Sequence, residues 1–155
     1  MAGKKRVLIA AALVAVSVMV IGGVALANHH AMLEATLSGA NEVNGAGVPN
    51  QGDPDGSGDA TVRLIPSREK ICYTLTVSNI APATMAHIHK GAAGVNGPIF
   101  RALKAPSDGS SEGCARLSRM KIRMINNNPA GFYVNVHNDD FPNGAVRGQL
   151  EPASP

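Results

Sequence analysis

The sequence predicts an all-β domain, an antiparallel β-sandwich or Greek-key barrel with one short helix. Three observations predict it. Short runs rich in β-branched and aromatic residues recur between clusters of Gly, Asn, Asp and Pro. The run KICYTLTVS alternates strictly, putting Ile71, Tyr73, Leu75 and Val77 on one face and Cys72, Thr74 and Thr76 on the other. Helical spacing is confined to one stretch near residue 120.

Each element follows from its residues. AMLEATLS (31–38) alternates imperfectly, and LSGANEVNGAGVPNQGDPDGSGD, dense in turn formers, reads as a long loop. ATVRLIP and KICYTLTVS form a hairpin about Pro66-Ser67-Arg68. TMAHIHK is a short strand ended by Gly91 and Gly94, and GPIFRAL resumes extended structure. A polar loop, KAPSDGSSEG, leads to Cys114. Leu117, Met120, Met124 and Ile125 then recur at helical spacing, with Arg116, Arg119, Lys121 and Arg123 between them as a solvated face. An amphipathic helix ended by Asn-Asn-Asn-Pro fits, and a strand is the competing reading. GFYVNVHNDDFPNGAVRGQLEP closes the domain as a strand, a turn on Pro142-Asn143-Gly144, and a last strand.

The amino terminus has a different character. Lys4, Lys5 and Arg6 precede an apolar run from Val7 to Leu26 that ends in Ala25-Leu26-Ala27, the pattern of an export signal with its cleavage site. Residues 1–27 are expected to be a signal peptide, and 28–32 a short segment before the domain at 33–151. An uncleaved signal would instead anchor the protein in a membrane, since about 20 apolar residues suffice to span one. Without the three n-region cations, 11 of the 14 Lys and Arg remain against 11 Asp and Glu, so the mature chain is about neutral. That balance, with no Trp, two Tyr and three Phe, gives no support for nucleic-acid binding. Cys72 and Cys114 are expected to pair as one disulfide in an oxidising compartment, free buried thiols being the alternative.

The histidines carry the chemical interest. Alternation aims His87 and His89 at one side of their strand while Ile88 faces the other. In YVNVH, Val134 and Val136 enter the core and leave Tyr133, Asn135 and His137 on the opposite face. If the strands are neighbours, three imidazoles converge as neutral nitrogen donors suited to copper, with zinc as the alternative. Asp139 and Asp140 are candidates for a further ligand or for orienting an imidazole. His29 and His30 form a separate candidate: cleavage after Ala27 would make His30 third in the mature chain, where it can chelate Cu(II) with the free amine.

LSGANEV, GDPDGSGDATVRL, CYTLTV, AHIHKGAAGVNGPI and YVNVHNDDFPNGAVRGQL resemble, in order, the landmarks of the CHRD domain, named for chordin and widespread in bacterial exported proteins. The likeness runs from Leu33 to about Leu150. Two departures stand out: Asn44 replaces a proline that usually follows the EV pair, and HNDD replaces a His-Thr step at the rim of the histidine site. A more distant similarity is to Cu/Zn superoxide dismutases, so a dismutase-like or immunoglobulin-like sandwich is expected. That resemblance implies copper on His87, His89 and His137, with Arg147 near the open position drawing in a small anion such as superoxide by its charge. The dismutases' zinc site has no evident counterpart.

Two functions from different classes follow. One is an exported copper-binding protein with dismutase-like redox activity; the other is a non-catalytic extracellular or cell-surface module whose histidines are structural. A hydrolase lacks support, because the sequence has no GxSxG elbow, no evident catalytic carboxylate pair and no reactive cysteine.

Overall fold

The computed structural model describes residues 31–154. The expected signal peptide, His29 and His30 lie outside them. Nine strands, β1 (Met32–Ser38), β2 (Ser57–Ile65), β3 (Lys70–Ser78), β4 (Met85–Lys90), β5 (Ile99–Leu103), β6 (Ser110–Arg116), β7 (Phe132–His137), β8 (Val146–Gln149) and β9 (Glu151–Pro152), accompany one helix, α1 (Arg119–Asn127). All pairings are antiparallel. The strands run in the order β5-β4-β7-β8-β1-β2-β3-β6, with β9 beside β1.

This sheet wraps into a nearly closed barrel around one core. Alternation supplies that core: Leu33, Ala35 and Leu37 of β1, Val62 and Leu64 of β2, Ile71 and Leu75 of β3, Ile88 of β4, Val134 and Val136 of β7, and Val146 of β8 pack in a single cluster. At about 25 cal/mol per Å² of apolar surface removed from water, the Val, Leu and Ile side chains among them contribute roughly 1.5–3 kcal/mol each. The two ends of the sheet meet at Lys104, whose amide donates to Tyr73 Oη at 2.8 Å and whose carbonyl accepts from Ser111 Oγ at 2.8 Å.

Two elements differ from their sequence reading. The expected polar loop before Cys114 contains the first half of β6, which pairs with β3 from Thr76↔Ser110 to Lys70↔Arg116. Its serines and glutamate hide the strand because a sheet-edge segment needs few apolar side chains. The helix is present and begins with Ser118, whose hydroxyl accepts from the Lys121 amide. Its buried residues are Ile122 and Ile125, whereas Met120, expected on the apolar stripe, is 71% exposed.

Cys72 and Cys114 are directly opposite across β3 and β6 and form the disulfide. They lie on the outer face, since Cys72 alternates with buried Ile71 and Tyr73. Among the described residues, no helix is long and apolar enough to cross a membrane.

The face of β7 turned away from the core is covered as well. All six β7 residues are buried, and the glycine-rich segment 91–97 lies against that side, with the Gly97 amide on Tyr133 Oη. Asn96 Nδ2 donates to the Val43 carbonyl at 2.9 Å and ties this segment to the covering loop 39–56.

Candidate metal centre

β4 and β7 are immediate neighbours, with Met85 opposite His137, His87 opposite Asn135 and His89 opposite Tyr133. Because the pleat turns alternate residues to one face, this register brings His87, His89 and His137 together beneath the covering loops. A nitrogen from each ring lies within 4.8 Å of one from each of the others. His87 Nδ1 and His137 Nε2 are 3.2 Å apart. Nitrogens sharing a tetrahedral ion at bonds of about 2.05 Å are about 3.3 Å from one another, so the cluster needs only modest side-chain rotation to close on a metal.

Backbone carbonyls fix two of the imidazoles. His89 Nδ1 donates to the Gly97 carbonyl at 2.9 Å, and His137 Nδ1 to the Pro142 carbonyl at 3.1 Å. Each proton on Nδ1 leaves Nε2 as a lone pair, which is how metal-ligating histidines are commonly oriented. His89 Nε2 is buried and has no hydrogen-bond partner. An acceptor stranded in this way costs about 1–3 kcal/mol unless something binds it. This stranded lone pair, beside two other imidazoles, fits a metal ion.

Protonation also favours coordination. Burial pushes the His137 imidazole down to about 4, with the neighbouring His87 adding to the shift and the Pro142 carbonyl opposing it. His87 is lowered by burial and then by His89. His89 is lowered by burial and by the Arg147 charge, against the Gly97 carbonyl. All three rings are therefore neutral at pH 7, as metal ligation requires.

Tyr133 and Arg147 brace the back of the centre. The Tyr133 ring stacks on His89 with centroids 4.9 Å apart and an interplanar angle of 11°, and the Arg147 guanidinium sits 3.4 Å from the Tyr133 centroid. Tyr133 Oη accepts from the Gly97 amide at 3.1 Å, so a single residue, Gly97, orients both rings through its N–H and its carbonyl. Arg147, expected near an open anion position, is 2% exposed. Its Nη2 donates to the Ala92 and Val95 carbonyls at 3.0 and 2.9 Å, and its Nη1 to Asn96 Oδ1 at 3.4 Å. The guanidinium clasps the covering loop.

Asp139 and Asp140 are exposed, and the Pro142 carbonyl occupies the orienting role considered for them. Asn135 is buried between His87 and Arg147 in the strand register, with Oδ1 unpartnered. Sequence reasoning passed over Glu42, which is 2% exposed and held up to about 7 by burial, with Arg147 pulling it down. A side chain at Gly144 would collide with its carboxylate. The one available signal for Glu42 was a carboxylate in the otherwise small and amide-rich LSGANEV block.

A family model described as the CHRD domain matches residues 33–150. No curated protein and no solved structure matches the chain. The matched span takes in every strand from β2 to β8, all three clustered histidines and both cysteines, and the chain belongs to the CHRD domain family.

Proposed function

We propose that this CHRD domain is an exported copper-binding protein that holds the ion through His87, His89 and His137. One observation carries the reading: the buried, unpartnered Nε2 of His89 lies beside two further neutral imidazoles. Imidazole serves zinc as well as copper, and intrinsic affinity for nitrogen donors favours Cu(II). The basic and apolar amino-terminal run, together with the Cys72–Cys114 disulfide, supports an oxidising location.

Bound copper supplies one-electron exchange, the chemistry of superoxide dismutation. The residues contribute positioning: Gly97 and Pro142 hold the rings, Tyr133 packs against His89, and Arg147 secures the loop above them. With its guanidinium enclosed, Arg147 exerts little long-range pull. Superoxide consumption by the copper-loaded protein should therefore depend only weakly on salt; a steep fall with ionic strength would restore Arg147 as a steering charge.

The test is metal analysis of protein expressed in a bacterial periplasm, beside a His87→Ala/His89→Ala variant. Copper retained by the native protein and lost from the variant supports the reading. Equal trace metal in both would overturn it in favour of a non-catalytic extracellular module, in which the 3.2 Å His87–His137 hydrogen bond is purely structural.

A further inference from the structure

We propose that Met85 adds a thioether donor to the histidine centre and makes it a site for cuprous ion, an inference that rests on the copper reading above. β4 runs Met85-Ala86-His87-Ile88-His89, and its pleat places Met85, His87 and His89 on one face while Ala86 and Ile88 fill the core. Met85 is also the direct cross-strand partner of His137. It is thus flanked by two of the three imidazole-bearing positions.

The spacing suits a methionine. Direct antiparallel partners have Cβ atoms about 4.5–5.5 Å apart, and same-face neighbours along a strand are separated by roughly 6.8 Å. A side chain with three rotatable bonds spans that range. Met85 is 45% exposed, so core packing does not account for an apolar residue here. It stands at the more open end of the cluster, where half-buried His87 also lies, whereas His89 and His137 are buried.

The donor set then decides the ion. Three imidazoles accept zinc or either oxidation state of copper, but a thioether is a soft ligand that favours Cu(I) and adds little for Zn(II). Every donor would be neutral, since Asp139 and Asp140 are exposed and both cysteines are tied up in the disulfide on β3 and β6. Enclosing a monovalent ion among neutral groups costs less desolvation than enclosing a divalent one.

The experiment compares the native chain with Met85→Leu and, as a control, Met120→Leu on the exposed side of α1. Anaerobic competition with a chromogenic cuprous chelator should show Met85→Leu weaker for Cu(I) by about tenfold or more, the scale on which changes around a metal act. Its Zn(II) affinity should be unchanged, and Met120→Leu should match the native protein for both ions. X-ray absorption of the Cu(I)-loaded native protein should show sulfur in the first coordination sphere, and Met85→Leu should not. A nitrogen-only sphere in the native protein overturns the inference whatever the variants do, while leaving the histidine copper site intact. Parallel losses of Cu(I) and Zn(II) in Met85→Leu would also overturn it, as the mark of a structural disturbance. Failure of copper to bind through His87 and His89 would remove both readings.

Discussion

Replacing Gly97 with alanine should disable the metal centre without touching a histidine. A methyl group there would overlap the Lys90 carbonyl oxygen and lie 2.6 Å from its carbon. Lys90 closes the β4–β7 ladder opposite Phe132 and its amide is bonded to the Pro98 carbonyl, so its backbone has little room to yield and the Gly97 peptide must retreat by more than about 1 Å to restore ordinary contact. The His89 Nδ1 bond to its carbonyl is 2.9 Å long, and such a retreat carries it past the range of a hydrogen bond. Its amide leaves Tyr133 Oη in the same movement. Losing the group that orients a ligating histidine costs about 10–100-fold in metal affinity, or roughly 1.4–2.7 kcal/mol. Isothermal titration of metal-free protein with copper would measure the change. Gly45→Ala is the control, because a Cβ there meets nothing within 4 Å. If Gly97→Ala binds copper as tightly as the native and Gly45→Ala proteins, the carbonyl is not what positions His89, and the account of the centre fails.

Three further outcomes follow from burial and linkage. In the metal-free protein His137 titrates near 4, against 6.5 for an ordinary histidine, so its contribution to stability is intact above about 6.5 and is lost as pH falls toward 4. Thermal midpoints should decline across that window; an equally steep decline in His137→Gln would show that the proton goes elsewhere. Glu42 has the opposite sense: raised to about 7, its folded form prefers the proton, so stability is complete below about 4.5 and is lost as pH climbs through 7. Glu42→Gln should therefore gain roughly 2–3 kcal/mol at pH 8 and nothing at pH 4, as read by denaturant unfolding, and a uniform loss at both would mean that the carboxylate is needed as such. Cys72→Ser/Cys114→Ser opens a loop of 42-residue separation and should cost about 4 kcal/mol on chain entropy. Because neither β3 nor β6 carries one of the three histidines or pairs with β4 or β7, folded protein of this variant should retain its copper stoichiometry; copper lost while the sheet stays folded would contradict that independence.

Much of this architecture is visible in periodicity. Strict alternation in KICYTLTVS and in YVNVH sorts core from outer face without any tertiary information, and the same period aligns His87 with His89. What alternation does not contain is register. Nothing local says that Met85 stands opposite His137, or that Tyr133 fits against His89, because those contacts depend on which strands the chain chooses as neighbours. The first half of β6 escaped notice because its Ser-Ser-Glu-Gly carries no apolar signal, and Gly113 is required by Tyr73 Oη, which a Cβ would approach to 2.8 Å. Arg147 shows the same dependence on distant chain: its charge is plain in sequence, but its enclosure by the Ala92 and Val95 carbonyls is a property of a loop more than fifty residues upstream.

The two acceptors that aim His89 and His137 share a simple trait. Each belongs to the turn that directly follows its own histidine strand, eight residues on in one instance and five in the other. Each ring is thus aimed by an acceptor close to it in the chain, while Arg147 and the Asn96–Val43 bond keep the first of those turns in place. Transplanting the two histidine strands with their turns onto an unrelated antiparallel sheet should carry the donor geometry only if a clasp equivalent to Arg147 goes with them.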